Sequence, residues 1–136
     1  MNLKYLPEND LMYIYFESNV PNIQTRTGHE GVFKFVAKID KNKVIGYEVE
    51  NTAKNLNYVL TKLGLNSKQK LGVCLYFLRE RKAKTQEQFA ETLGISLSKY
   101  KSLEKAEHNI NFDTLESIFE TFPNEPILET VFHKSG

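Results

Sequence analysis

Leu97, Ser98, Lys101 and Ser102 are the residues whose types and spacing point most directly to chemistry. On a helix these positions share one face. They offer an apolar side chain for a thymine methyl, two hydroxyls that donate or accept, and an ammonium that reaches guanine O6 or N7, a set suited to reading base edges. A second set suits phosphate oxygens. Gln86 opens a helix, so its amide acts together with the helix N-terminal N–H groups. Thr85, Lys99, Lys84 and Arg79 join it as backbone-holding residues. His108, in a later loop, is either a further phosphate contact or an exposed loop histidine.

The elements that must position these side chains are legible around them. Thr85 is a good N-cap, and Gln88 three residues on completes a capping box. Phe89, Ala90 and Leu93 make one apolar face. Gly94 suits the left-handed residue at a helix C-terminus. Ile95 returns to the core, and Ser96 caps a second helix whose Tyr100 and Leu103 stay on the buried side. Two short helices joined by a tight turn, the second one outward-facing, form a helix–turn–helix pattern.

The stretch Thr85–Ala106 resembles the helix–turn–helix of phage-repressor-type (Xre, Cro/cI-like) DNA-binding domains. Arg81, Thr85, Gln86, Ala90, Leu93, Gly94, Ile95, Ser96 and Glu104 fall in register with that family's pattern. The match runs from Ser67 to Phe122, about two-fifths of the chain. Three positions depart from it: Tyr100 stands where Ile or Val is usual, Ser102 where Arg is common, and Ala106 where Gly follows the second helix. The resemblance implies a DNA-binding function in which Gln86 holds a phosphate. It also implies that Glu104 is structural, with Arg81 as its expected partner.

The flanking segments complete a helical half. Asn51 or Thr52 caps a helix to Leu63, with Ala53, Leu56, Leu60 and Leu63 as its apolar stripe. Ser67 caps the next helix, running to about Lys82 with Leu71, Cys74, Leu75 and Leu78 inward. A further helix begins at Asn111 or Asp113 and buries Phe112, Leu115, Ile118, Phe119 and Phe122. Ile127–Phe132 closes the bundle as a short helix or serves as an interface segment. His133 is expected to carry no role.

Met1 to Glu50 has a different texture, with short β-type runs broken by turn residues. Asn2–Leu6, Leu11–Phe16, Ile23–Thr27, Val32–Ile39 and Val44–Glu50 read as an antiparallel meander. In the last run Ile45, Tyr47 and Val49 oppose Val44, Gly46, Glu48 and Glu50. One face carries Leu11, Tyr13, Tyr15, Phe33 and Phe35. A sheet this small leaves such a face uncovered unless a helix or a second copy lies on it. These five residues are therefore the expected dimer or partner surface. The segment also resembles a small family of β-rich bacterial domains. Tyr5, Pro7, Glu8, Asp10, Leu11, Tyr13 and Ile14 match its turn and first strand; Ile45, Gly46, Glu48 and Val49 match a later one. Such domains occur beside helix–turn–helix or toxin–antitoxin elements, so the resemblance implies a dimerising or partner-binding role.

Composition bounds the alternatives. The 136 residues carry a net charge of only +1, but the charge is unevenly placed. From Lys68 to Lys105 there are nine Lys and Arg against four Glu; from Ala106 onward there is one Lys against six acids. Positive charge thus collects where phosphate would approach. The single Cys74 excludes an internal disulfide framework and reads as a small core residue. No apolar run nears the ~18 residues of a membrane span, and no signal peptide opens the chain, so a cytoplasmic location is expected. His29 reads as a surface loop residue. No nucleophile–base pair, paired carboxylates, phosphate loop or ligand cluster appears, so no catalytic residue, metal or cofactor is assigned.

The expectation is an α+β protein, a small antiparallel β-sheet followed by an all-α helix–turn–helix bundle of four to five helices: a β-rich module over 1–50, a linking helix over 51–66, and a helix–turn–helix DNA-binding domain over 67–136. Its partners would be double-stranded DNA carrying a palindromic operator, a second copy of the chain, and a cognate toxin protein. The alternative is an interaction module that neutralises a partner without touching DNA.

Overall fold

The computed structural model describes residues 1–132, and His133 lies outside them. Among these residues the chain forms a five-stranded antiparallel sheet followed by helices, an α+β architecture. It divides into two compact units, Met1–Val59 and Leu60–Gly136. No helix among the described residues is long and apolar enough to cross a membrane.

The first unit contains β1 (Asn2–Leu6), β2 (Leu11–Tyr15), β3 (Asn22–Arg26), β4 (Val32–Ala37) and β5 (Val44–Val49), in the spatial order β1-β2-β5-β4-β3. Alternation sorts the side chains. Met12, Ile14, Tyr47 and Val49 are buried on one face. Tyr13, Tyr15, Phe33 and Phe35 point the other way and are half-exposed. The expected Val32–Ile39 strand stops at Ala37, because the pairing slips by a bulge at Phe35/Val36 and the chain turns through Asp40–Lys43. Ile39 is left exposed.

The helix α1 (Thr52–Lys62) starts from an unexpected cap. Neither Asn51 nor Thr52 supplies it from its own side chain. The carboxylate of Asp10 accepts from Ala53 N–H at 3.1 Å, and from the Tyr5 hydroxyl at 2.6 Å. The Asp10 carbonyl takes Thr52 N–H as well. The Tyr5–Asp10 turn is therefore a helix cap supplied from far along the sequence. Asp10→Ala should cost about 1 kcal/mol, the usual worth of an N-cap. Amide exchange should quicken in the first turn of α1 and stay unchanged in the second unit; equal exchange in α1 would remove the cap assignment. The buried stripe of α1 is Thr52, Asn55, Leu56, Val59 and Leu60, whereas Ala53 is exposed. Burial raises the pKa of Tyr47, with the Tyr58 phenol nearby contributing.

The second unit is built on α2 (Ser67–Arg81), buried from Lys70 to Arg79. Its N-cap is Asn66, not Ser67: Asn66 and Gln69 form a reciprocal capping box that Ser67 is one residue too late to make. Against α2 pack α4 (Leu97–Glu104) and a terminal 3-10 helix, Pro126–Phe132, while α3 (Gln86–Leu93) packs on α4 and on α5 (Phe112–Thr121). Leu71, Leu75, Phe77, Leu78, Leu103, Ile118 and Leu128 are fully or almost fully buried. Cys74 joins them, and burial pushes its thiol up to about 12, so it is an inert core residue. Phe112, expected in this core, is 76% exposed, because Asn111 is the N-cap and Phe112 begins the helix on its outer side.

Candidate nucleic-acid interface

The turn between α3 and α4 follows from four local choices. Thr85 and Gln88 form the capping box of α3. Gly94 ends α3 in the left-handed conformation at φ 69°, which costs a glycine little. Ile95 N–H bonds back to Ala90. Ser96 then caps α4 by accepting from Lys99 N–H. Phe89, Ala90, Leu93, Tyr100 and Leu103 are buried, with the Phe89 ring edge-on to Tyr100 and stacked on Phe122. These contacts fix the angle at which α4 leaves the bundle.

The opposite side of α4 is open. Leu97, Ser98, Lys101 and Ser102 line one shallow concavity with Lys105 and Glu107. Ser98 and Lys101 are exposed; Leu97 and Ser102 are half-buried. The Ser102 hydroxyl donates to the Ser98 carbonyl at 3.1 Å, leaving it lone pairs to offer outward. Lys105 and Glu107 were not singled out from the sequence. Their place follows from Ala106, whose left-handed φ of 60° turns the chain back beside the helix end.

The phosphate set divides. Thr85, Lys84 and His108 are exposed, and Lys99 is half-buried. Arg79 does not belong with them. Its Nε and Nη2 donate to the two oxygens of Glu104 at 2.6 and 3.1 Å, and Nη1 donates to the Lys84 carbonyl at 3.0 Å. Both partners are buried. Burial alone would lower the pKa of Arg79, but the bond to Glu104 and its charge carry it up. Arg79 is thus the partner expected of Arg81. Arg81 is exposed, with its guanidinium over the Phe77 ring at 5.3 Å. The two arginines are two residues apart and so point to different sides of α2.

Glu104 holds one further group. Its Oε1 accepts from Gln86 Nε2 at 3.0 Å. The side chain at the head of α3 is therefore tethered to the end of α4, leaving one amide hydrogen and the helix N-terminal N–H groups for an anion. Tyr100 lies buried beside this network, its hydroxyl near Glu104 and Arg79 but outside hydrogen-bonding geometry. Burial, then the Glu104 charge, raise its pKa and keep it protonated.

In the first unit, Tyr13, Tyr15 and Phe35 form a mutually stacked aromatic group, with ring centroids 5.6 to 6.5 Å apart. Tyr15 and Phe35 flank Gly46 in the register. A Cβ there would meet the Ile14 carbonyl at 2.4 Å and the Tyr15 ring at 3.1 Å, so glycine lets the rings close over β5. Glu48 raises the pKa of Tyr13, chiefly through a hydrogen bond. Leu11 and Phe33 extend the group, and all five residues are half-exposed.

Comparison with known proteins agrees with the geometry of the second unit. Residues 72–130 match the family described as a helix-turn-helix domain. No curated protein and no solved structure matches the chain. The matched span contains α3, its turn and α4, so the helical region carries a helix-turn-helix domain behind a small antiparallel sheet, which supports a DNA-binding, transcription-regulating function.

Proposed function

We propose that this protein is a sequence-specific repressor of the Cro/cI-like type, acting as a homodimer in the cytoplasm on a palindromic operator, and that it represses its own operon. The observation that carries this reading is the uncovered face of α4, where Leu97, Ser98, Lys101 and Ser102 share one concavity. The reading has no catalytic step and needs no cofactor. A single eight-residue helix spans few base pairs. Two of them placed about 34–36 Å apart would read two half-sites one helical turn apart. The half-exposed aromatic face of the sheet supports a partner role for the first unit, either with a second copy or with a toxin protein neutralised by an antitoxin.

The experiment is a mobility shift on the DNA upstream of the chain's own coding sequence, with unrelated duplex as competitor. Preferential binding is expected. Equal binding to both, or none, would favour the alternative of an interaction module that does not use DNA. The dimer surface has its own test. Tyr15→Glu places a charge in the aromatic group, and light scattering should then find a monomer where the unaltered chain is a dimer. A variant that stays dimeric would move the interface elsewhere.

A further inference from the structure

The sheet ends in two edge strands, β1 and β3, each paired on one side only. Hydrogen-bond parity says which of their backbone groups point outward. The Pro21 carbonyl accepts from Lys38 N–H at 2.9 Å, and these residues continue the register in which Ile23 opposes Val36 and Thr25 opposes Lys34. Directly bonded pairs alternate along an antiparallel ladder. Ile23 and Thr25 therefore spend their N–H and C=O groups on β4, while Asn22, Gln24 and Arg26 aim theirs at the open edge. At the far side, Phe16 N–H donates to the Ile45 carbonyl at 2.9 Å. The same alternation makes Tyr13 and Lys4 a bonded pair, so β1 turns only Leu3 and Tyr5 outward.

The two edges differ in how they meet a second copy. On β1, the antiparallel register that uses both outward residues sets Leu3 against Tyr5. It also puts Lys4 directly opposite Lys4 of the second copy, and opposed like charges guard an edge against pairing. No such guard stands on β3. Its sequence NIQTR holds no lysine and no proline, and the irregularity at Phe35/Val36 lies between β4 and β5, away from this edge. Its two-fold register sets Gln24 opposite Gln24 and Asn22 opposite Arg26, so every outward N–H and C=O finds a partner. The two copies of Arg26 fall at opposite ends, about 13 Å apart along the strand. Asn22, Gln24 and Arg26 are exposed. The Gln24 side chain reaches inward to β5, its Nε2 donating to Glu48 at 2.9 Å, which leaves the edge clear. At the alternate positions Ile23 meets Thr25 of the second copy, a β-branched pair suited to neighbouring strands.

On the homodimer reading above, with the aromatic face holding two copies, we propose that the β3 edge joins such dimers in pairs. Two five-stranded sheets run on as one of ten strands, through antiparallel β3–β3 pairing centred on Gln24. Gln24 and Phe35 share a face in the register, so both aromatic faces of the joined sheet lie on the same side. A second joined sheet can cover both, and the two kinds of two-fold contact close at four chains. Pairing of two short strands is marginal by itself. The edge contact is accordingly weaker than the face contact, and it fills only at high protein concentration.

Sedimentation of the full chain over a concentration series, without DNA, reads the two contacts separately. The unaltered chain should be a dimer when dilute and pass to a tetramer when concentrated. Gln24→Pro removes an outward N–H but no bond within the sheet. It should weaken the second step by about tenfold or more, the worth of two lost hydrogen bonds. Gln24→Thr should leave that step in place, with circular dichroism unchanged in both variants. Tyr15→Glu should give a monomer that pairs only when concentrated. Cross-linking reads the register. Asn22→Cys mixed with Arg26→Cys should form an intermolecular disulfide faster than either variant alone, because directly opposite residues lie about 5.5 Å apart, within reach of the bond. Cys74 is buried and takes no part. No association step that Gln24→Pro weakens, or equal cross-linking of like and unlike cysteines, would overturn the proposal. A chain that is monomeric when dilute, and whose one association step is lost in Gln24→Pro, would keep the edge pairing and remove the face dimer.

Discussion

Glu104→Ala is expected to remove about 3–5 kcal/mol from the helical unit, a large fraction of the roughly 5–15 kcal/mol that holds a domain folded. The side chain is 5% exposed and its partner Arg79 11% exposed. Truncation would leave a guanidinium in the interior with its two best hydrogen bonds gone. The loss would come from a buried charge left with only the Lys84 carbonyl and the longer 3.5 Å contact to Glu80, and not from the net worth of the pair, which desolvation reduces. Two companions separate these effects. Arg79→Met with Glu104→Leu replaces both ions with apolar groups and should recover most of the stability. Arg81→Ala should lie within about 1 kcal/mol of the unaltered chain, the range of an exposed cation over a ring. Urea unfolding followed by helical circular dichroism reads all three. A large loss in Arg81→Ala with little in Glu104→Ala would reverse the assignment of the buried arginine. The double replacement also releases Gln86, which now donates to Glu104. A folded double variant with weakened phosphate contact would show that the network positions Gln86 as well as stabilising the bundle.

That assignment was not legible in the helix period. Leu71, Leu75 and Leu78 mark the inward side of α2; Arg79 stands four residues after Leu75 and Arg81 three after Leu78, so both flank that stripe and periodicity does not separate them. What separates them is burial, since α2 is enclosed from Lys70 to Arg79 and Arg81 lies beyond that stretch. The α3–α4 turn was fully legible, because each of its determinants lies within a few residues: Thr85 with Gln88, Gly94, and Ser96 with Lys99. The sheet faces were legible for the same reason, since alternation is local. What was not legible acts at long range. Nothing near Thr52 indicates that Asp10 caps α1. Nothing near His29, expected as a surface loop residue, indicates that Tyr58 stacks on its ring at 3.8 Å or that Asn55 Oδ1 lies 3.1 Å from its Nε2. Phe112 failed differently. Its apolar character fits the stripe, but its place directly after the N-cap puts it outside the core.

The reading face makes the sharpest claim, and it concerns discrimination more than affinity. Ser98→Ala with Lys101→Ala removes the exposed hydroxyl and ammonium from the centre of the α4 concavity. Neither side chain is buried, so the helix and its packing should be unchanged by circular dichroism. A good base-edge contact discriminates by about 1–3 kcal/mol, so losing Lys101 alone should reduce operator preference by roughly 5- to 150-fold. Losing both should bring the operator close to unrelated duplex. Lys84→Ala and Lys99→Ala provide the contrast. Cations on the DNA backbone affect all sequences alike, and each removed should flatten the dependence of log affinity on log salt by about one. The two classes therefore move different observables: the ratio between operator and competitor for the first, and the salt slope for the second. If the ratio survives the Ser98 and Lys101 double change, base reading lies elsewhere on the unit. Lys105 and Glu107, at the rim of the same concavity, would be the next residues to alter, because a lysine there selects guanine and a carboxylate accepts from cytosine N4.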